Sequence, residues 1–424
     1  MTPLHRIARL GLATLCIATL SQCSKQTQEA SDSSQAPAHK SKSPLSIPPP
    51  PLAKPNSLIV ALWQSQQLHL DKAIHAADAL RADIENLLAT PTAVSLSTSQ
   101  QQWLDAANAI EALALIGPLA KTARGSAWQS VNHAFGHIAR WPAQLGYLDD
   151  NGVHGKTGLI YDLDTPINAS TLRQQHGLTH SQDATLGLYP LGLLLWGANG
   201  SRTADDFELA TALNDSHRVM GYSHPDELAS NRRRQLIQLQ AELLVADLTE
   251  LRSTWARRDR NSALNALSQP ALDEQRTICI NAGLTLTTQQ LLELKSSPEQ
   301  RAEHTPAYGL LVTLRRNQRW HSQLNALQQW LTLLELGEVV PAIDELQEAL
   351  AAINSKLGGE QTEAKPADGD AAAANTPLEG APESHSNVRH ELPLNDTDEQ
   401  LIEAKLSSLA LLLKQSLATS SKQP

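Results

Sequence analysis

Apolar residues recur at intervals of three and four over long tracts of this chain, the spacing of one helix face rather than of a strand. From Ser57 to Leu88 the stripe runs through Leu58, Leu62, Leu68, Ile74, Ala77, Leu80, Ile84, Leu87 and Leu88, and Pro91 ends it. Ser99 with Gln102 reads as a capping box ahead of Trp103, Ala106, Ile110, Leu113 and Ile116, with Gly117-Pro118 as a break. A third helix is expected over Ser126 to Arg140, followed by a glycine-rich structured loop from Gly146 to Gly158. Further helices are predicted from Ser181 to Trp196, kinked at Pro190, and from Ala204 to Met220. His224-Pro225-Asp226-Glu227 is expected to open a long helix reaching Arg258, because proline suits the first turn and carboxylates face the positive end of the dipole. Helical spacing returns at Thr287 to Leu294, Tyr308 to Leu336 and Val340 to Leu357, and Thr397 with Gln400 begins a last helix through Leu417.

Two stretches break this pattern. Residues 24–56 are rich in Ser, Gln, Lys and Pro, including Pro48 to Pro51, and read as a tether too polar to bury a core. Residues 358–395 carry Gly, Pro, Ala and charge, and read as a disordered insertion. The expected fold is all-α: two packed antiparallel helical bundles, with a first half at 57–220, a second at 221–357, and a C-terminal helix at 396–424 docking on the body. Composition agrees. Aromatic residues are only 4% of 424, few for a sheet protein, whereas Leu, Ala, Gln and Glu lose little rotamer freedom in a helix.

The formal charge is −10, and the tightest basic run, Arg232 to Arg234, lies in a helix of mixed sign. Nucleic acid is therefore not an expected partner. Cys16 and Cys23 lie near the start and Cys279 stands alone in the body, which gives neither a disulfide framework nor a CxxC metal site.

Residues 1–22 read as an export signal: His5, Arg6 and Arg9 precede an apolar stretch, Leu10 to Leu20, that is too short to span a bilayer. Leu20-Ser21-Gln22-Cys23 resembles the lipobox of bacterial lipoproteins, in which the cysteine is lipidated and becomes the first mature residue. The resemblance implies lipidation at Cys23 and attachment to a membrane through that lipid. Ser24 in place of Asp implies an outer-membrane address facing the periplasm, with a soluble periplasmic protein as the alternative. Losing Arg6 and Arg9 with the signal leaves 32 basic against 44 acidic side chains, a charge of −12.

Gly187 to Gly197, GLYPLGLLLWG, resembles the signature region of the imelysin family of envelope proteins. Ile138-Ala139-Arg140-Trp141-Pro142, Gly146-Tyr147-Leu148-Asp149, Gly158-Leu159-Ile160, Thr165-Pro166-Ile167-Asn168 and Arg232 to Leu236 agree with that family in order. Its signature is GxHxxE, whose His and Glu share a helix face and are able to ligate a metal. Here Gly187 matches, but Tyr189 stands at the His position and Gly192 at the Glu position. A phenol and a bare backbone supply neither a neutral nitrogen ligand nor a base near neutral pH. The second-half family motif is also eroded around Ser296-Ser297-Pro298. The resemblance thus implies the fold and a non-catalytic binding or interaction module, with an envelope protein as a possible partner. The family's link to iron acquisition makes iron uptake the first guess for its biology.

Other candidate residues are weaker. His133 and His137 stand at i and i+4 and are the nearest thing to a zinc or iron site, as a metal-dependent peptidase with non-standard ligands would need, but no acidic residue lies between them. His176 and His180 share that spacing across Gly177, while His69 and His75 are six apart. Asp149, Asp150, Asp162 and Asp164 could offer oxygens to a hard cation, although turns use such residues more often. Trp141, Tyr147, Tyr189 and Trp196 are the candidate lining of a cleft, against the simpler reading of core aromatics. Cys279 reads as a buried small hydrophobe.

Overall fold

A computed structural model describes residues 51–123, 125–140, 143–144, 146–150, 157–180, 182–197, 200, 202–295, 309–362 and 396–420. Cys23, Trp141, the Ser296-Ser297-Pro298 motif, residues 363–395 and the export signal lie outside them. The helices are α1 Ser57–Ala89, α2 Ala93–Glu111, α3 Ile116–Thr122, α4 Ser126–Gly136, α5 Ala169–Gln175, α6 Leu188–Trp196, α7 Asp215–Val219, α8 Ala229–Ala256, α9 Ala263–Ser268, α10 Leu272–Lys295, α11 Gly309–Leu333, α12 Val340–Thr362 and α13 Asp396–Ser420. No strand occurs among the described residues.

The helices assemble as two packed bundles within one compact unit, Pro49–Pro424. In the first, α1 packs on α2 and α8, and α4 and α6 close its sides. Asn56 caps α1 by accepting from Ile59 N at 3.0 Å, and Thr90 ends it just before Pro91. The buried face of α1 comprises Ile59, Leu62, Trp63, Leu70, Ala73, Ala77, Leu80, Ile84 and Leu87. Helices α1 and α8 run antiparallel, since Trp63 near the start of one meets Trp255 near the end of the other and Asp71 pairs with Arg252 at 2.9 Å. The two indoles stack at 3.8 Å with a 10° interplanar angle, and each ring N–H donates to the other residue's carbonyl, at 3.0 and 3.2 Å. Trp128 of α4 meets both rings edge-on at 6.2 Å. The edge-on contacts of Trp128 suit the ring quadrupoles, and the reciprocal N–H bonds of the stacked pair satisfy two buried donors.

In the second bundle α10, α11, α12 and α13 pack together. Helix α13 buries Ile402, Leu406, Leu409 and Leu413, and it is fastened by Lys356–Asp398 at 3.0 Å, Lys295–Glu403 at 2.8 Å and Lys405–Glu345 at 3.0 Å. The bundles meet where α2 faces α11 and α3 faces α10.

Several local expectations need correction. Helix α2 starts at Ala93 because Thr92 and Ser95 form the capping box, whereas Ser99 is mid-helix and donates to Asp83 O and Ser95 O, both at 3.0 Å. The break after α2 falls at residues 112–115, so Gly117 and Pro118 enter the first turn of α3. Helix α4 ends at Gly136 rather than Arg140. Residues 182–187 are not helical: α6 starts at Leu188, which leaves Pro190 in a first turn where its missing N–H costs nothing and no kink follows. Ala204 to Met220 is a 3-10 turn, an extended link and the short α7. His224 to Glu227 is a separate 3-10 turn before α8. Residues 358–362 belong to α12, so the helix runs into the start of the expected insertion.

Candidate functional site

Gly187 opens α6 with φ of +96°, a left-handed conformation that glycine adopts without strain. Space demands it too: a Cβ there would meet Ile138 O at 2.5 Å and His137 O at 2.7 Å. Thr185 and Leu186 lead into this turn, and both backbone N–H groups donate to His176 Nδ1, at 3.3 and 3.1 Å. His176 Nε2 in turn donates to Gly136 O at 3.1 Å, which fixes a neutral tautomer with both nitrogens engaged. Burial holds the imidazole at a pKa of about 4.

The turn delivers Tyr189 to the seam between the bundles. Its hydroxyl donates to Glu111 Oε1 at the end of α2. Glu111 Oε2 accepts from Gln323 Nε2 of α11 at 2.7 Å, and Gln323 Oε1 accepts from Gln290 Nε2 of α10 at 2.8 Å. Beside this chain, Arg319 donates to both carboxylate oxygens of Glu293, and Trp320 Nε1 donates to Glu293 Oε2 at 3.1 Å. Tyr189, Glu111, Gln323 and Gln290 are all buried. Burial raises the Glu111 carboxyl above its usual range despite Arg319, Tyr189 and Gln323, and burial with Glu111 holds the Tyr189 phenol well above its own. Burial opposes charge on Arg319 as well, but Glu293, Tyr189 and Glu111 outweigh it and keep the guanidinium cationic.

One turn beyond Tyr189, the indole of Trp103 fills the space beside Gly192. A Cβ at 192 would stand 2.8 Å from Trp103 Cζ2 and 2.9 Å from Cε2. Trp103 Nε1 is committed to Leu188 O at 2.8 Å, and the ring meets Tyr189 and Trp196 edge-on at 6.0 and 5.2 Å. A carboxylate at position 192 therefore has no room while Trp103 keeps its place. What remains is a narrow crevice between Trp103, Leu104, Ala107, Asn108 and Gln318, with Glu111, Tyr189 and Arg319 at its base and room for about one water.

Tyr189 and Trp196 thus converge on Trp103. Tyr147 is placed elsewhere, half-buried with its hydroxyl donating to Gln175 O at 3.2 Å. The rings of His133 and His137 lie 4.5 Å apart, and His176 lies 5.6 Å from His137. Arg173 links this group to α8, with Nη1 donating to His137 Nδ1 at 3.3 Å and Nη2 to Asp247 Oδ1 at 2.6 Å. A guanidinium only donates, so His137 Nδ1 accepts and its hydrogen lies on Nε2, which is the wrong tautomer for a metal at that nitrogen. Asp183 caps the turn at His180, accepting from the His180 backbone N–H at 2.8 Å.

The aspartates around the glycine-rich loop serve ion pairs and turns. Asp149 takes Arg202 Nη2 at 2.6 Å and Arg233 Nε at 2.7 Å; burial opposes its ionisation, but the two arginines hold its carboxyl below the usual range. Its Oδ1 also accepts from Asp150 N at 2.8 Å, and Asp162 caps Asp164 N at 3.2 Å. Arg232 donates to the carbonyls of Leu159, Ile160, Asp162 and Thr165 at 2.7–2.9 Å, shaping the same loop from α8. Cys279 is buried, which pushes its thiol up to about 12. No group of three or more His, Cys, Asp or Glu residues arranged to hold a metal occurs among the described residues.

Glu111, Gln290, Glu293, Arg319 and Gln323 were not legible as site residues. Their only sequence signal is polarity at positions that helical spacing assigns to an inward face.

No curated protein matches the chain. Among solved structures, the crystal structure of an imelysin-like protein from Psychrobacter arcticum 273-4 is 15% identical, covering 86% of this chain and 93% of its own with a TM-score of 0.45. The family profile described as Imelysin (Peptidase_M75) matches residues 67–330, more than half the chain, and the protein belongs to the imelysin family.

Proposed function

We propose that this protein is a lipid-anchored envelope module of the imelysin type that binds or docks without hydrolytic chemistry. The observation that carries the reading is the occupied seam. Tyr189 and Glu111 satisfy each other, Arg319 supplies the positive charge beside the carboxylates, and Trp103 stands where an acidic side chain at 192 would be. A buried polar network with its partners already in place gains little from a metal ion that would have to displace them. Anchoring through Cys23 and an outer-membrane address facing the periplasm extend the reading of the N-terminal sequence, and a role near iron uptake extends the family resemblance. The partner expected is another envelope protein.

Purified chain would be incubated with unstructured peptide substrates and added zinc or iron(II). The expected result is no cleavage above the metal-free blank. Metal-dependent cleavage that disappears in His137→Ala would establish the peptidase instead. Iron uptake is checked separately: a strain lacking this chain should grow poorly under iron limitation, and unchanged growth removes that role.

A further inference from the structure

The residues that lead from the tether into α1 are fastened to the body at one place. Pro51 O accepts from Asn265 Nδ2 at 3.2 Å and from Gln269 Nε2 at 2.6 Å. Ala53 N donates to Asn265 Oδ1 at 2.7 Å, and Asn56 Nδ2 donates to Gln275 Oε1 at 2.7 Å. Asn265 is 2% exposed, so this clamp is built into the fold rather than laid on it. The same Nδ2 also donates to Arg260 O at 2.8 Å, which ties the loop Arg257-Arg258-Asp259-Arg260 to the point where the tether departs.

That loop is basic on an acidic protein. Asp259 takes Arg257 at 2.8 Å, whereas Arg258 and Arg260 are exposed and make no ion pair with any described residue. Lys54, on the tether segment itself, is exposed as well. The carboxylates close by in sequence, Asp273 and Glu274, occupy the first turn of α10, where they face the positive end of its dipole.

We infer that Lys54, Arg258 and Arg260, gathered around the Asn265 clamp, form a docking surface for the anionic phospholipid headgroups of the membrane to which the chain is anchored. The inference rests on the proposed lipid at Cys23 for the identity of that membrane. Geometry, charge and chemistry each support it. Cys23 precedes Pro51 by 28 residues, which reach at most about 95 Å when extended and average about 30 Å as a coil. The clamped end is where the chain enters the body from the side of Cys23. A body carrying net negative charge is repelled on the whole by an anionic surface, so a basic patch on it also favours one orientation. Guanidinium groups match phosphate oxygens in paired hydrogen bonds.

The test uses residues 23–424 with Cys23→Ser, which lack the apolar export signal and cannot be lipidated, mixed with vesicles of phosphatidylcholine alone or with phosphatidylglycerol in equal parts. Preference for the anionic vesicles, lost at high salt, is expected. Arg258→Gln with Arg260→Gln should weaken it about 30-fold, from roughly fivefold per arginine. Arg218→Gln, an exposed cation on α7, should leave it intact. Equal partition into both vesicles, or the same affinity after the double substitution, overturns the docking surface. Mass measurement of Cys23 in the unsubstituted chain decides the anchor separately. A bare cysteine with retained vesicle preference removes the anchor and keeps the surface. A lipidated cysteine without vesicle preference removes the surface and keeps the anchor.

Discussion

The indole of Trp103 occupies the space into which any side chain at Gly192 would project, with Cζ2 2.8 Å from the position of a Cβ there. The pair is complementary: the glycine admits the ring, and the ring excludes the carboxylate that the family signature places one turn after its histidine. Gly192→Ala should accordingly destabilise the fold by about 1–3 kcal/mol through overpacking. Urea midpoints of Gly192→Ala, Trp103→Leu and the double variant would check it. The two substitutions should be less than additive, because the smaller residue at 103 leaves room for the methyl.

Tyr189→Phe removes the donor to Glu111 Oε1 and leaves a buried oxygen short of a partner. A cost of about 1–3 kcal/mol is expected, and Glu111→Gln in the same chain should recover part of it. Chemical denaturation of the single and double variants reads both effects.

Glu111 also gives a pH dependence with a definite sign. Its carboxyl is raised in the folded state, chiefly by burial, so the folded chain holds the proton more tightly than the unfolded one. That stability is complete below the ordinary carboxyl range and declines as pH rises through the folded value. In Glu111→Gln this decline should vanish. A variant that keeps the full decline would show that the carboxyl is not the group responsible.

His176 has the opposite dependence. Burial lowers its pKa to about 4 while it accepts two backbone N–H groups. Folding therefore favours the neutral ring, and its contribution is present above the ordinary imidazole pKa and lost as pH falls toward 4. The difference in urea midpoint between the unsubstituted chain and His176→Asn should shrink steadily from pH 6.5 down to 4. A constant difference would mean that the ring is not held neutral.

Long helices were legible because their apolar spacing repeats over many turns: Ser57 to Leu88 was expected and Ser57–Ala89 is found. Helices α5 and α9, of 7 and 6 residues, are too short for periodicity to register. Their Asn168 and Ser262 caps, which accept from Thr171 N at 2.9 Å and Asn265 N at 3.2 Å, were the available signals. Pro190 suggested a kink because the helix start was invisible until Gly187 was known to turn with positive φ. At the site, the placing of Tyr189 and Gly192 at the signature's His and Glu positions is an expectation from resemblance. What surrounds them was not legible, because Glu111 lies 78 residues from Tyr189 and 212 from Gln323. Sequence pattern reports which face a residue shares with its own helix, and not which distant helix completes it.

The most direct test is calorimetric titration of the purified chain with zinc and with iron(II). A filled seam predicts no saturable binding that depends on Tyr189 or Glu111. Stoichiometric binding abolished by both Tyr189→Phe and Glu111→Gln would contradict it, since those two residues would then be ligands rather than partners of each other.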